Sequence, residues 1–197
     1  LGMDPLTFRE LNAAREGERR ITGPLYGSVG MVETTQAAQA GAHYSTTLDG
    51  KYRGRGVAAG FWGNGTGPSS ATASVNPDGT VSLVEGSPDI GGSRASASMH
   101  VAEVLGIRAE DVKPMVGDTD SVGFTSNTGG SSVTFKTGWA CYTAAQDIKQ
   151  QIIDRTAKGW DVSPDDVEYE DGVVKHKSDN ALTKTFQEMA AELNATG

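Results

Sequence analysis

A hairpin that leads straight into a glycine-rich turn and a helix is the feature that most constrains the fold of this chain. In "SATASVNPDGTVSLVEG", residues 70–86, two runs of alternating small and β-branched residues flank Asn76-Pro77-Asp78-Gly79. This pattern is typical of two antiparallel strands joined by a tight turn. The next stretch, "GSPDIGGSRASASMH", carries two adjacent glycines and a serine before an alanine-rich run. We expect a helix over 94–105 that ends at Gly106, because glycine favours the residue after a helix.

The remaining patterns predict an α+β fold, a mixed sheet with hairpins and packed helices. Helices are expected at 4–16, 31–40 and 133–157 and in the closing "TFQEMAAEL". Further strands are expected in "YRGRGVAAGFWGNGTG", in "DVKPMVGD" and in a second hairpin that turns at Asp171-Gly172. The long helix offers four residues for a buried stripe: Trp139, Tyr142, Ala145 and Ile152. We divide the chain into an N-terminal helical and connecting segment, 1–50, and an α+β portion, 51–197.

The net charge, the hydropathy and the cysteine content of the chain argue against several classes of protein. The 197 residues carry a formal net charge of −8, which argues against a nucleic-acid binder with a basic face. No apolar run approaches the roughly 18 residues of a membrane helix, and the first residues lack the regions of a signal peptide. The single cysteine, Cys141, excludes an internal disulfide and a cysteine-built iron–sulfur or zinc site. We therefore expect no membrane partner and a cytoplasmic location, with the periplasm left open.

Glycine is enriched, at 26 residues, and two of its clusters precede helices. In the first cluster, Gly91-Gly92-Ser93 lies between a predicted strand and a predicted helix. In the second, Gly129-Gly130-Ser131-Ser132 lies between a loop and a predicted helix. Backbone N–H groups at a helix start attract anions, and glycines allow a ligand to approach the backbone. The two loops could form a cradle for an anion or a flat polar heterocycle, although serine capping without a ligand explains either loop singly. Neither loop has the spacing of a dinucleotide fingerprint or a P-loop.

Other polar residues give weaker signals. The three histidines, His43, His100 and His176, do not have a metal-ligand spacing. Cys141 is expected to be buried and inert. Asp118 and Asp120 are expected to cap their loop, with contact to a cofactor tail as the alternative. Arg94 directly follows the first loop and is our candidate for a contact with a phosphate. Glu188 and Glu192 are expected on the solvated face of the last helix.

Several motifs together resemble a known family. They are "LGMDPLTFRELNAAREG", "GRGVAAGFW", "DGTVSLVEGSPDIGG" and the long run from "HVAEVLGIRAEDVKPMVGDTD" to "TAAQDI". In this order they look like the molybdenum-binding subunit of the xanthine dehydrogenase and aldehyde oxidase family, from residue 1 to about residue 190. The implied fold is part of the molybdenum-cofactor-binding domain of the molybdenum hydroxylases.

The resemblance assigns a role to both glycine loops. Family members hold molybdopterin and its phosphate with a loop that is usually Gly-Gln-Gly and a second that is usually Gly-Ser-Arg-Ser/Thr. The corresponding residues here are Ile90, Gly91, Gly92, Ser93, Gly130, Ser131, Ser132 and Val133. Gly92 replaces the usual glutamine and Ser132 the usual arginine, so two side-chain contacts to the cofactor are missing.

The implied activity is oxidation of an aldehyde or N-heterocycle with water as the oxygen source. The cofactor would be molybdopterin, with a cytosine dinucleotide form left open, carrying molybdenum in the complete enzyme. Expected partners are iron–sulfur clusters and FAD on other subunits or domains, the remainder of the molybdenum subunit and a small-molecule substrate, with a homodimer as a further option.

The family's other Gly-Phe-Gly loop and its glutamate base are not visible in this chain. We therefore expect the chain to be a piece of a subunit, or one half of a split subunit, that is catalytically inactive by itself. We expect it to contain neither catalytic nor metal-ligating residues. A structural or assembly module that retains the fold without molybdenum is the alternative, and an unrelated anion-binding protein is a third option.

Overall fold

The structure is a computed structural model that describes residues 1–193, and these residues group into two compact units. The first unit is Leu1–Phe61, and the second begins at Trp62. Every helix within the described residues is too short or too polar to cross a membrane. The assignment of 1–50 and 51–197 to separate domains stays a prediction.

The first unit contains three helices, α1 (Pro5–Leu11), α2 (Met31–Ala40) and α3 (Ala42–Ser45). Asp4 caps α1, because its Oδ2 accepts hydrogen bonds from the backbone N–H groups of Leu6 (3.0 Å) and Thr7 (2.8 Å). The predicted helix over 4–16 is too long. It ends at Leu11 because the Asn12 side chain donates to the Phe8 carbonyl (2.7 Å) and the helix closes there.

The second unit contains two sheets, and the first of them is a mixed three-stranded sheet. Strands β1 (Ala71–Val75) and β2 (Val81–Glu85) are antiparallel, which confirms the predicted hairpin. Helix α4 (Ser93–Leu105) carries the chain over to β3 (Val112–Val116), which pairs parallel to β2. The glycine-rich turn therefore lies at the carboxyl end of β2, where the crossover helix begins.

A second sheet is antiparallel and follows the long helix α5 (Val133–Trp160). Its strands are β4 (Val167–Glu170), β5 (Val173–His176) and β6 (Thr183–Thr185), and helix α6 (Phe186–Ala191) follows. A capping box joins Thr185 and Glu188 at the start of α6. The hairpin predicted at Asp171-Gly172 is confirmed, since β4 and β5 are antiparallel neighbours.

One hydrophobic core joins both sheets to α4 and α5. Its buried members include Leu83 of β2, Leu105 of α4, Ala145 and Ile152 of α5, Val174 of β5 and Phe186 of α6. Ala145 and Ile152 confirm half of the stripe predicted for the long helix. The prediction was wrong for Trp139 and Tyr142, which are 63% and 37% exposed on the opposite side of α5.

The predicted strand in residues 52–67 is also absent from the described structure, where this stretch has no regular pairing. Its six glycines are free to adopt many backbone conformations. The pattern of small residues alone therefore does not hold this stretch in an extended strand.

Candidate functional site

The first glycine loop connects β2 to α4 and exposes its backbone. Ile90 is 67% exposed, and Gly91 and Gly92 have φ angles of +114° and +82°. A Cβ built on either glycine would meet no atom within 4 Å. Glycine is therefore required here for the positive φ, and the space beside the backbone is open.

Asp89 caps the start of α4 from within this loop. Its Oδ1 accepts hydrogen bonds from the backbone N–H groups of Gly91 (2.9 Å) and Ser93 (3.1 Å) and from the Ser93 hydroxyl (3.0 Å). Its Oδ2 accepts from Nε of Arg94 (2.7 Å). Arg94 and these donors hold the pKa of Asp89 well below its usual range, so the carboxylate stays charged at neutral pH. The anion position at the start of α4 is thus filled by the chain's own carboxylate.

Arg94, our candidate for a phosphate contact, is therefore already paired. Its side chain is 53% exposed and its partner Asp89 lies at salt-bridge distance. The contact with a phosphate stays a prediction, and it would have to compete with this pair.

The second loop uses its glycine differently. Gly130 has φ +62°, and a Cβ there would lie 2.9 Å from the backbone nitrogen of Gly65. The Gly65 N–H donates to the Gly130 carbonyl at 2.6 Å, so two loop backbones pack against each other. Gly130 is thus required by contacts within the chain. Ser131 is exposed and has φ +53°, an uncommon conformation for a residue with a side chain.

Ser132 and Val133 begin α5 and face inward. Ser132 is 3% exposed, and its hydroxyl donates to the Gly129 carbonyl (2.7 Å) instead of capping the helix. Val133 is 5% exposed. Within the described residues, no side chain accepts from the first-turn N–H groups of α5. These N–H groups carry the positive end of the helix dipole.

Lys136 adds a buried positive charge to the same turn. It is 4% exposed, and its Nζ donates to the Ser126 carbonyl (2.8 Å), the Ser126 hydroxyl (2.8 Å) and the Asn127 carbonyl (2.6 Å). All three acceptors are neutral, and no carboxylate among residues 1–193 lies within 4 Å of Nζ. The start of α5 is therefore electropositive, whereas the start of α4 is neutralised by Asp89.

The two loops lie at the same end of the second unit. The hydroxyls of Ser87, in the first loop, and Thr137, in α5, share a hydrogen bond of 2.7 Å. His100 of α4 packs against Gly138 of α5, where an added Cβ would lie 2.7 Å from the ring. Further along, Tyr169 donates to the Leu105 carbonyl and its ring lies under the Lys149 ammonium. The contact near His100 involves Gly138, and the contact near Leu105 involves Lys149, so later residues of α4 lie beside later residues of α5. The two helices therefore run in the same direction.

A buried polar cluster fixes the spacing of the loops. Thr137 also hydrogen bonds Ser69 (2.9 Å), and the Ser87 N–H donates to the Glu85 carboxylate (2.5 Å). Glu85 is 1% exposed, and burial raises its pKa above the usual range. Cys141 is fully buried, and burial together with the nearby Glu85 raises its pKa to about 12, as expected for an inert thiol.

The structure also shows the surroundings of the GDTD loop and the distribution of potential metal-ligating side chains. Asp118 caps its loop as expected, since its Oδ1 accepts from the N–H groups of Asp120 and Ser121. The capping prediction was wrong for Asp120, whose exposed side chain accepts no hydrogen bond within the described residues. No cluster of three or more potential metal-ligating side chains occurs in the part of the chain that the structure describes.

The sequence analysis missed Asp89 and Lys136. Asp89 directly precedes the Ile-Gly-Gly turn, a position from which an aspartate can cap the following helix. Lys136 is the only charged residue in the first half of α5.

Comparisons with known proteins agree with this architecture. A family model described as the molybdopterin cofactor-binding domain matches residues 30–197. The chain is 30% identical over 172 residues to the xanthine dehydrogenase molybdenum-binding subunit of Escherichia coli O157:H7, covering 80% of this chain and 23% of that protein. It is 28% identical over 190 residues to the aldehyde oxidoreductase molybdenum-binding subunit PaoC of the same organism, covering 92% of this chain and 25% of that protein.

Solved structures show the same fold. The Cu,Mo-CO dehydrogenase in its carbon monoxide reduced state matches with a TM-score of 0.60 and 28% identity, over 64% of this chain and 16% of that chain. Quinoline 2-oxidoreductase from Pseudomonas putida 86 matches with a TM-score of 0.56 and 23% identity, over 66% and 17% respectively.

The predicted fold class and family resemblance are thus confirmed. The chain spans about a quarter of the length of the curated relatives it matches. Since the family model covers more than half of it, the chain belongs to the molybdopterin cofactor-binding domain family of the molybdenum hydroxylases.

Proposed function

We propose that this chain forms one wall of the molybdopterin site in an enzyme that oxidises an aldehyde or N-heterocycle with water as the oxygen source. The observation that carries the proposal is the pair of glycine loops at one end of the unit, with an uncapped, electropositive start of α5 beside Lys136. When bound, the cofactor supplies the redox chemistry of molybdenum. The residues of this chain bind and orient it.

The two loops have different parts in this proposal. The anionic phosphate of the cofactor binds at the start of α5, where Val133 and Thr134 present N–H groups and Lys136 contributes charge. The backbone of Gly91 and Gly92 would hold the flatter pterin, because the space beside it is open. Asp89 disfavours a second anion at α4, which leaves α5 as the preferred phosphate site.

The residues present fit this role through backbone atoms. Gly92 has no side chain to offer, and the Ser132 hydroxyl is directed to the Gly129 carbonyl. Both departures from the family pattern remove side-chain contacts, but neither closes the loops. The family match does not favour the alternative of a module without molybdopterin.

The wider assembly is also part of the proposal. Iron–sulfur and FAD partners would take up the electrons, and the remainder of the subunit would complete the substrate pocket. The cytosine dinucleotide form of the cofactor stays an option within this proposal.

The test places a carboxylate at the start of α5. Thr134 is exposed at the second position of the helix, so in Thr134→Glu the side chain can occupy the anion position as Asp89 does at α4. We expect pterin content to fall at least about tenfold in the complete subunit, because a negative charge there repels phosphate. Thermal stability should stay equal or rise, since a first-turn carboxylate favours the helix.

Thr134→Gln is the matched neutral control and should retain pterin. Pterin content is measured by fluorescence after oxidation, alongside the melting temperature. Unchanged pterin content in a folded Thr134→Glu variant would overturn the assignment of α5 as the phosphate site.

A further inference from the structure

The first half of α5 is apolar on two opposite sides. Its inward side, with Cys141 and Ala145, belongs to the core. Its outward side carries Phe135, Trp139 and Tyr142, which we call the aromatic face. These three side chains are 65%, 63% and 37% exposed, and the Trp139 and Tyr142 rings stack with centroids 5.2 Å apart.

The charge pattern of α5 changes sharply at its middle. From Val133 to Gln146 the only charged residue is Lys136, which is buried. From Asp147 onward the outward side carries charges, including the exposed Asp154 and Lys158. A helix segment without exposed charge and with apolar residues on two opposite sides is typical of one buried on both sides. The second half has the amphipathic pattern of a helix with one solvated side.

A groove runs along the aromatic face. It has a volume of about 730 Å³, and Pro68, Ala71, Phe135, Trp139 and Ala144 line it. Exposed aromatic residues that line a concave, apolar groove mark binding surfaces more often than scattered surface residues do. Lys136 and Asp147 are the only charged residues on its lining, so the groove suits an apolar partner.

We infer that the aromatic face docks an apolar segment of the same molybdenum-binding subunit that lies outside residues 1–197. The curated relatives are about four times as long as the part this chain matches, so most of such a subunit is available to cover the face. The choice of this occupant rests on the proposed function, in which the chain works within a complete subunit. The groove contains no residue of either glycine loop, although Lys136 lines the groove and also lies at the start of α5.

The occupant is tested by the reactivity of an introduced thiol. Thr143 is exposed on the groove lining, and Thr143→Cys leaves Phe135 and Trp139 in place. The native Cys141 is fully buried and gives little background labelling. Lys158→Cys, on the charged half of the same helix, is the matched control.

In the complete subunit, maleimide should label the Thr143→Cys variant at least about tenfold more slowly than in the 197-residue chain alone, because labelling then needs local opening. The Lys158→Cys variant should react at similar rates in both. Adding Trp139→Ser to Thr143→Cys should restore fast labelling in the complete subunit, since the docking anchor is lost.

Two outcomes would overturn the inference. Equal labelling of Thr143→Cys in the chain and the complete subunit would show an open groove. Slow labelling in the chain alone, together with a concentration-dependent doubling of its mass, would identify a second copy as the occupant. Pterin content of the same samples separates this test from the proposed function, because a covered groove without pterin would leave the docking inference intact.

Discussion

Asp89 makes the two glycine loops chemically different. It supplies an internal anion at the start of α4, where it accepts from Gly91, Ser93 and Arg94. The start of α5 has no such carboxylate in the described structure, and the adjacent Lys136 leaves it positive. Two stretches that look alike in sequence therefore differ in the charged groups at the start of the following helix.

Replacing Asp89 with asparagine should destabilise the chain in a pH-dependent way. Because hydrogen bonding lowers the pKa of Asp89 in the folded state, the carboxylate contributes stability above its unfolded pKa of about 3.9. This contribution is lost as the pH falls towards the lower, folded pKa. We expect Asp89→Asn to lower the melting temperature at pH 7 and to differ less from the wild type near pH 3.

Asp120→Asn serves as the control, since the Asp120 side chain is exposed and caps nothing in the described structure. Melting followed by circular dichroism between pH 3 and pH 7 gives the comparison. An Asp89→Asn variant as stable as the wild type at pH 7 would contradict the capping role.

Helix and strand boundaries depend on contacts that are distant in sequence. The end of α4 at Gly106 was predicted, and Gly106 does adopt a left-handed conformation there, with φ +60°. A Cβ on Gly106 would lie 2.1 Å from the backbone nitrogen of Gly172, in the turn between β4 and β5. The helix end is thus also a tertiary contact, which no local pattern signals.

The Gly106→Ala variant should lose more than about 2 kcal/mol of unfolding free energy, since the left-handed conformation alone costs an alanine about 1 kcal/mol and the clash adds to it. The control is Gly159→Ala in α5, where a Cβ would meet no atom within 4 Å. Because alanine favours helix, this control should be more stable by about 0.5–1 kcal/mol. Urea denaturation measures both, and equal effects at the two sites would refute the contact.

At the scale of the whole chain, the second unit has one hydrophobic core, whereas the proposed site would hold the cofactor from one side. The second unit buries residues from two sheets and two long helices in one cluster. In the proposed function its glycine loops form one side of the cofactor site, and the described residues contain no cluster of three or more side chains able to hold a metal ion. Folding and cofactor retention should therefore separate in this chain.

The purified 197-residue chain should unfold cooperatively on heating, yet carry far less than one molybdenum per chain and oxidise no aldehyde. The physical reason is that the cofactor would be held from one side only. Elemental analysis and calorimetry on one preparation provide the measurement. A preparation with about one molybdenum per chain and measurable turnover would show that the chain is sufficient alone.

The sequence by itself determined the hairpins, α2, α4, α5 and the position of both glycine loops. These features depend on residues close in the chain, such as the Asn76-Pro77-Asp78-Gly79 turn and the glycine that ends α4. The resemblance to the molybdenum hydroxylases also rests on local motifs, and it was confirmed. The roles of Ile90 and the other seven predicted loop residues stay predictions.

Only the tertiary structure decided which residues face inward and which groups face the loops. Trp139 has the spacing of a core residue but lies outside, because α5 packs on the core with its Cys141 side. Asp89 and Lys136 acquired their opposite effects through folding, which brings a carboxylate to one helix start and encloses an ammonium group near the other. The side of α5 that packs on the core depends on residues far apart in the chain, which periodicity does not encode. Asp89 and Lys136 instead contact residues close to them in the chain, and only the folded loop geometry shows which groups they contact.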